Sequence, residues 1–212
     1  MSSCMVTGGT SGIGREFVTQ LAARGDDVII VARDTDRMAA IKAELEPRYG
    51  VEIEALRADL SVRDEVDAVA ARLEDPDRPV DLLVNNAGFG LHAKILDAGT
   101  LPLQDRAFDV MCRAVLVLSA AAGRAMKSRG SGAIVNISSG SAWINTGNYS
   151  AIKAWVLTFT EGLANELHGT GVSAMAVCPG GCTPSSTNAP TSPRPIFPRS
   201  SGLIPRPWCA RP

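Results

Sequence analysis

Short apolar runs of strand length alternate along most of the chain with longer stretches in which apolar residues recur every three or four positions. Cys4–Thr7 reads as the first strand. Ile13–Arg24 reads as a helix, with Ile13, Phe17 and Leu21 on one stripe and Gly25 as its stop. Asp27–Ala32 is a continuous apolar run, as a parallel strand buried on both faces should be. Thr35–Glu46 is helical, with Met38, Ile41 and Leu45 inward and Pro47 expected to end it. Val51–Leu56 alternates as a strand. Ser61, with Asp64 three residues on, predicts a capped start to a helix over Val62–Leu73. A strand over Val80–Val84 follows Pro79. A long helical pattern covers Leu103–Ser128, a strand Ala133–Ile137 and a helix Ser150–His168, with Ile152, Trp155, Val156, Phe159, Leu163 and Leu167 on one face. Val172–Cys178 is the sixth strand. Strands alternating with helices predict a three-layer α/β fold of the Rossmann type, a doubly wound parallel sheet in the order 3-2-1-4-5-6.

The pattern stops at Gly180. Residues 181–212 hold eight of the thirteen prolines, four arginines, no lysine and no acid. Neither helical nor strand periodicity survives there, and proline lacks the donor that helices and central strands require. Residues 1–180 are therefore expected to form the domain and residues 181–212 an irregular tail. The division separates a body of charge −5 from a tail of +4 within a net charge of −1. That balance gives no electrostatic case for nucleic acid or an anionic membrane. The most apolar stretch, Ala114–Ala122, lies between Arg113 and Arg124 and is too short for a bilayer. Five scattered cysteines without a C-x-x-C, and only two histidines, His92 and His168, predict no disulfide scaffold and no metal site. With no secretory pattern at the start, the expected location is the cytoplasm.

Between the first strand and first helix lies Thr7-Gly8-Gly9-Thr10-Ser11-Gly12-Ile13-Gly14. Glycine allows positive φ and close approach of backbone to a ligand, and unpaired N–H groups at the start of a helix suit a pyrophosphate. The spacing T-G-x-x-x-G-I-G resembles that of the short-chain dehydrogenase/reductase family. Further motifs follow in the family's order: Asp59-Leu60 after the third strand, Asn85-Asn86-Ala87-Gly88 after the fourth, Tyr149-Ser150-Ala151-Ile152-Lys153 as Y-x-x-x-K, and Pro179-Gly180 after the sixth.

The resemblance implies a dinucleotide held by Gly8, Thr10, Ser11, Gly12, Ile13, Gly14, Asp59, Leu60, Asn86, Ala87, Gly88, Tyr149, Lys153, Pro179 and Gly180. It implies catalysis by Ser139, Tyr149 and Lys153: the serine polarises the substrate oxygen, the tyrosine transfers a proton, and the lysine favours the phenolate and holds a ribose. Tyrosine and lysine four apart on a helix share a face. By the same resemblance the acid that selects NAD would fall at Ala32, and Arg33 follows it. A guanidinium there pairs with a 2′-phosphate, so NADP is expected, with NAD as the alternative and Asp34 as the residue able to neutralise Arg33.

The chain departs from the family in three places. Ser139 lies ten residues before Tyr149 rather than thirteen, although Trp143 in that loop is a candidate pocket wall with Phe89 and Leu91. Met111 stands where the family often has an asparagine that supports a water chain to the lysine. After Pro-Gly, the tail lacks the pattern of the family's lid and seventh strand. Shifted by one base, Cys182–Pro190 can encode His-Thr-Glu-Phe-His-Gln-Arg-Ala, closer to the family's continuation, so a frameshift near residue 181 is expected; a genuine short variant is the alternative. The leading reading is an NADP-dependent oxidoreductase acting on a small carbonyl or alcohol, associating as a homodimer through Leu103–Ser128 and Ser150–His168. The alternatives are a cofactor-binding pseudoenzyme, another reaction of the superfamily such as epimerisation, and a ligand-free scaffold.

Overall fold

The apolar runs become one six-stranded parallel sheet in a computed structural model of the chain, which describes residues 2–91 and 93–180. The order of elements is β1 (Ser3–Thr7), α1 (Gly12–Arg24), β2 (Asp27–Ala32), α2 (Thr35–Tyr49), β3 (Ile53–Arg57), α3 (Arg63–Glu74), β4 (Leu82–Asn85), α4 (Leu101–Phe108), α5 (Ala114–Arg129), β5 (Gly132–Ile137), α6 (Asn148–Glu166) and β6 (Val172–Val177). The strand order is β3-β2-β1-β4-β5-β6, as expected. Side chains alternate across each strand. Met5, Ile29 and Leu83 pack with α3, α5 and α6, whereas Cys4, Val6, Ile30 and Val84 pack with α1 and α2 on the opposite face. His92 and the tail of residues 181–212, including Cys182 and Cys209, lie outside the described residues.

Four local readings are corrected. Pro47 sits inside α2 rather than ending it; the helix runs on to Tyr49 and stops at Gly50, whose φ of 68° lets its N–H bond to the Glu46 carbonyl at 2.8 Å. Ser61 does not cap α3. Its N–H and hydroxyl turn back to Asp59 Oδ1, and the cap position falls to Val62. The long helical pattern is interrupted between α4 and α5 by a π turn over Asp109–Arg113. On α6 the buried positions are Ser150, Ile152, Lys153, Val156 and Thr160; Trp155 and Leu163 pack against the core half-buried, and Phe159 is half-buried.

A polar chain crosses the centre of the core. Asn85 Nδ2 donates to Ser119 Oγ at 3.0 Å and to Asn136 Oδ1 at 2.9 Å, and Asn136 Nδ2 donates to Thr160 Oγ1 at 2.9 Å. All four side chains are buried, and the chain ties β4 and β5 to α5 and α6. Removing one member leaves its partners unsatisfied in a low dielectric. Asn136→Ala is therefore expected to lower the unfolding free energy by about 1–3 kcal/mol in urea titrations; a change within about 0.5 kcal/mol would contradict the role given to this network.

Candidate active site

The sheet's order reverses between β1 and β4, so the loops leaving their carboxyl ends diverge and open a crevice. The crevice floor is tied by paired bonds. Thr7 Oγ1 accepts from the N–H groups of Asn86 and Ala87 at 2.9 and 3.0 Å. Asn86 Nδ2 in turn donates to the Thr7 carbonyl at 2.9 Å and the Gly8 carbonyl at 3.2 Å. A Cβ on Gly14 would lie 2.3 Å from Gly8 O and 2.4 Å from Asn86 Nδ2, so this glycine is required by the protein's own packing. Gly14 accordingly lies behind the cleft wall. Gly12 is different: its φ is 53°, and a Cβ there would meet nothing within 4 Å. Ser11 at the head of α1 is extended, and its side chain does not cap the helix. Ser11, Gly12 and Ile13, at the start of α1, line the cleft, an arrangement that fits a diphosphate.

A cleft of about 1320 Å³ runs from this floor in both directions. Gly8, Thr10, Ser11, Gly12, Ile13, Arg33, Asp59, Leu60, Asn86, Ala87, Gly88, Ser139, Tyr149, Lys153, Pro179 and Gly180 all line it, so of the site residues read from the sequence only Gly14 stands apart. At one end, Ala32 offers no acid and the Arg33 side chain is 62% exposed. Asp34 does not neutralise Arg33. Its carboxylate accepts from the Arg37 N–H at 3.0 Å, caps α2 and pairs with Arg37 Nε at 3.2 Å. Asp59 is held by Ser61 through Oδ1 and faces Arg106 and Arg33 through Oδ2. Burial works to raise the Asp59 pKa, but the Ser61 bonds and the two guanidinium groups outweigh it and hold the carboxyl below its ordinary range.

At the other end, Lys153 is buried and donates from Nζ to the Ile137 carbonyl at 2.9 Å. The same Nζ lies 5.7 Å from the centre of the Tyr149 ring. Burial pushes the lysine down from 10.5 to about 8, against a weaker opposing effect of Cys112 and Cys178. The two neighbouring serines divide their roles. Both line the cleft, but the Ser138 hydroxyl is buried and donates to the Lys153 carbonyl at 2.7 Å, whereas Ser139 accepts from the Ser141 N–H at 3.1 Å and has its own O–H left to donate. Met111 is buried in the π turn against Gly88. Trp143 does not wall the cleft: a 3₁₀ turn over Gly140–Trp143 carries the indole outward to 60% exposure, and Ser141 and Thr146 line the cleft beside Phe89 and Leu91.

Two residues escape a reading of the sequence. Arg106 reaches Asp59 across the cleft from α4. Gln104, buried on the same helix, accepts from Asn148 Nδ2 at 2.7 Å and so fixes the residue preceding Tyr149. Each pairing joins residues more than 40 positions apart, and neither lies in a motif.

The sequence matches the short chain dehydrogenase family over residues 3–194, a match that runs past Gly180. A short chain dehydrogenase of Pseudocercospora fijiensis is 36% identical over 183 residues, covering 84% of this chain and 59% of that protein. A 3-oxoacyl-(acyl-carrier-protein) reductase of Synechocystis is 35% identical over 182 residues, covering 83% of this chain and 72% of that one. Among solved structures, a short-chain dehydrogenase from Sphingobium yanoikuyae in complex with NADPH superposes with a TM-score of 0.80 at 34% identity, covering 85% of this chain and 71% of that one.

The buried lysine makes the chain's stability depend on pH with a definite sign. Between about 8 and 10.5 the unfolded chain keeps a proton on Lys153 that the folded chain has released, so stability from this group rises with pH across that window. Below it, burying the cation costs the folded state. The difference in unfolding free energy between the native chain and Lys153→Met should grow in favour of the native chain by roughly 3 kcal/mol from pH 8 to 10.5. Parallel pH profiles for the two proteins would contradict the assigned burial.

Proposed function

The chain belongs to the short chain dehydrogenase family, and on that premise we propose that it is an NADP(H)-dependent oxidoreductase that interconverts a carbonyl and an alcohol. The observation that carries this reading is a single cleft with the Tyr149–Lys153 pair at one end and an exposed Arg33, unpaired with Asp34, at the other. The NADPH complex of the Sphingobium yanoikuyae protein and the name of the Synechocystis reductase support it.

Bound NADPH would supply a hydride to the substrate carbon. Arg33, with Thr10 and Ser11 beside it, would hold the 2′-phosphate, and the head of α1 would hold the diphosphate. Ser139 donates its hydroxyl hydrogen to the substrate oxygen, and Tyr149 delivers the proton that completes the alcohol. Lys153, fixed by the Ile137 carbonyl, keeps a cation beside the phenol and would donate a further N–H to a ribose hydroxyl. Phe89 and Leu91 give the substrate end an apolar wall. The molecule is cytoplasmic in this reading and a homodimer through α4–α5 and α6. Exposed Phe108 and Leu116, with the half-buried Trp155 stacked on Phe159 at 4.9 Å, support that surface.

Met111 favours a second reading. A thioether buried against Gly88 offers no amide to order water beside Lys153, so the chain could bind the dinucleotide without turning over. Simple ketones with NADPH separate the two. Reduction by the native chain, lost by about 10²–10⁴-fold in Tyr149→Phe while NADPH affinity holds within about threefold, is the expected result. Arg33→Asp should move the preference toward NADH. Tight NADPH binding without any turnover would establish the second reading, and undiminished reduction by Tyr149→Phe would overturn the first.

A further inference from the structure

Three charged side chains meet at the adenosine end of the cleft, and one of them has no counterpart in the motifs. The Asp59 carboxylate is clamped on one side, where Oδ1 accepts from the Ser61 N–H at 3.0 Å and the Ser61 hydroxyl at 2.7 Å. It cannot turn without giving up both bonds. That leaves Oδ2 between two guanidinium groups. Arg106 Nη2, from α4, hydrogen-bonds to it at 3.1 Å, while Arg33 Nη1 stands at 3.7 Å, outside hydrogen-bonding distance. Arg33 is also the more exposed of the two, at 62% against 41%.

Resting on the NADP reading above, we propose that Arg106 is a positioning residue that sets the preference for a 2′-phosphate by engaging the Asp59 carboxylate and leaving Arg33 available. With Arg106 in place, the three groups carry a net positive charge and Asp59 has its strong bond across the cleft. Without Arg106, Arg33 is the one cation left beside Oδ2 among the described residues. The guanidinium is then drawn inward and the cluster falls to zero charge. With one cation fewer and Arg33 held by the carboxylate, this end attracts a phosphate less and has nothing added for NADH. Arg106 does this through Asp59, without itself touching the phosphate.

Calorimetric titration of NADPH and NADH into the native chain, Arg106→Gln, Arg106→Lys and the double variant Arg106→Gln/Asp59→Asn tests the proposal without any turnover. Arg106→Gln should weaken NADPH about five- to tenfold, up to about 1.4 kcal/mol, and leave NADH within about twofold. Arg106→Lys keeps the charge and should keep most of the NADPH preference. The double variant removes the carboxylate that competes for Arg33 and should recover NADPH affinity; a merely structural role for Arg106 would give no such rescue. An unchanged NADPH/NADH ratio in Arg106→Gln, an equal loss of both dinucleotides, or no recovery in the double variant overturns this inference and leaves the cofactor reading standing. A native chain that binds neither dinucleotide overturns the cofactor reading and this inference together.

Discussion

The Asn86 side chain bridges the one place where neighbouring strands lead their loops apart. β1 and β4 pair in register up to Val6 and Val84, and beyond that the sheet ladder offers no further partners. Asn86 Nδ2 supplies the carbonyls of Thr7 and Gly8 with a donor, and Thr7 Oγ1 supplies the N–H groups of Asn86 and Ala87 with an acceptor. The exchange is reciprocal, so neither half holds its position alone. It also explains two glycines. Gly8 adopts a φ of 66° with its missing Cβ against Ala87, and Gly14 sits where any Cβ would displace the Gly8 carbonyl or the Asn86 amide. The sharp turn, the start of α1 and the end of β4 are one packed unit, and the cleft is what lies above it.

Both ends of the cleft hang from this unit through short covalent spans. On one side β2 pairs directly with β1 and delivers Arg33 to the rim, while β3 delivers Asp59. On the other side β5 pairs with β4 and ends at Ile137, whose carbonyl receives Lys153. The Ser138 hydroxyl then anchors the Lys153 carbonyl, so α6 is attached to the end of β5 from both its side chain and its backbone. Deeper in the core, the chain from Asn85 to Thr160 fixes the same strands and helices from below. Tyr149 thus gains its position from α6 and from the Gln104–Asn148 bond. Burial of Lys153 brings its pKa down to about 8, a consequence of the packing that immobilises it.

Much of this is legible in the sequence because it is local. The apolar runs of β1, β2 and β5 have the length and the flanking turn residues of buried strands, and Gly25 ends α1 in the left-handed conformation expected of it. The cleft residues come from short motifs at strand ends, where spacing alone places them together. What escapes is the product of competition between nearby partners or of contacts distant in sequence. Ser61 has the right spacing for a cap, but the Asp59 carboxylate competes for it. Pro47 reads as a stop, yet the last turn of a helix closes around it because Gly50 supplies the terminating bond. Arg106 and Gln104 act across the cleft on residues of other elements, and no periodicity reports that. The apolar stripe of α6 does face the core through Ile152, Val156 and Leu167, with Trp155 and Leu163 at its edge, but it gives no sign that the polar Lys153 and Thr160 are buried beside it.

The central claim is that the reciprocal tie between β1 and β4 shapes the cofactor cleft, and Thr7→Val tests it most directly. Thr7 is buried and lies outside the cleft lining, and valine keeps its shape while removing the acceptor for Asn86 and Ala87. Calorimetric titration with NADPH should show affinity weakened more than about tenfold in this variant, alongside a loss of about 1–3 kcal/mol in unfolding free energy. A Thr7→Val protein that binds NADPH as tightly as the native chain would contradict the account.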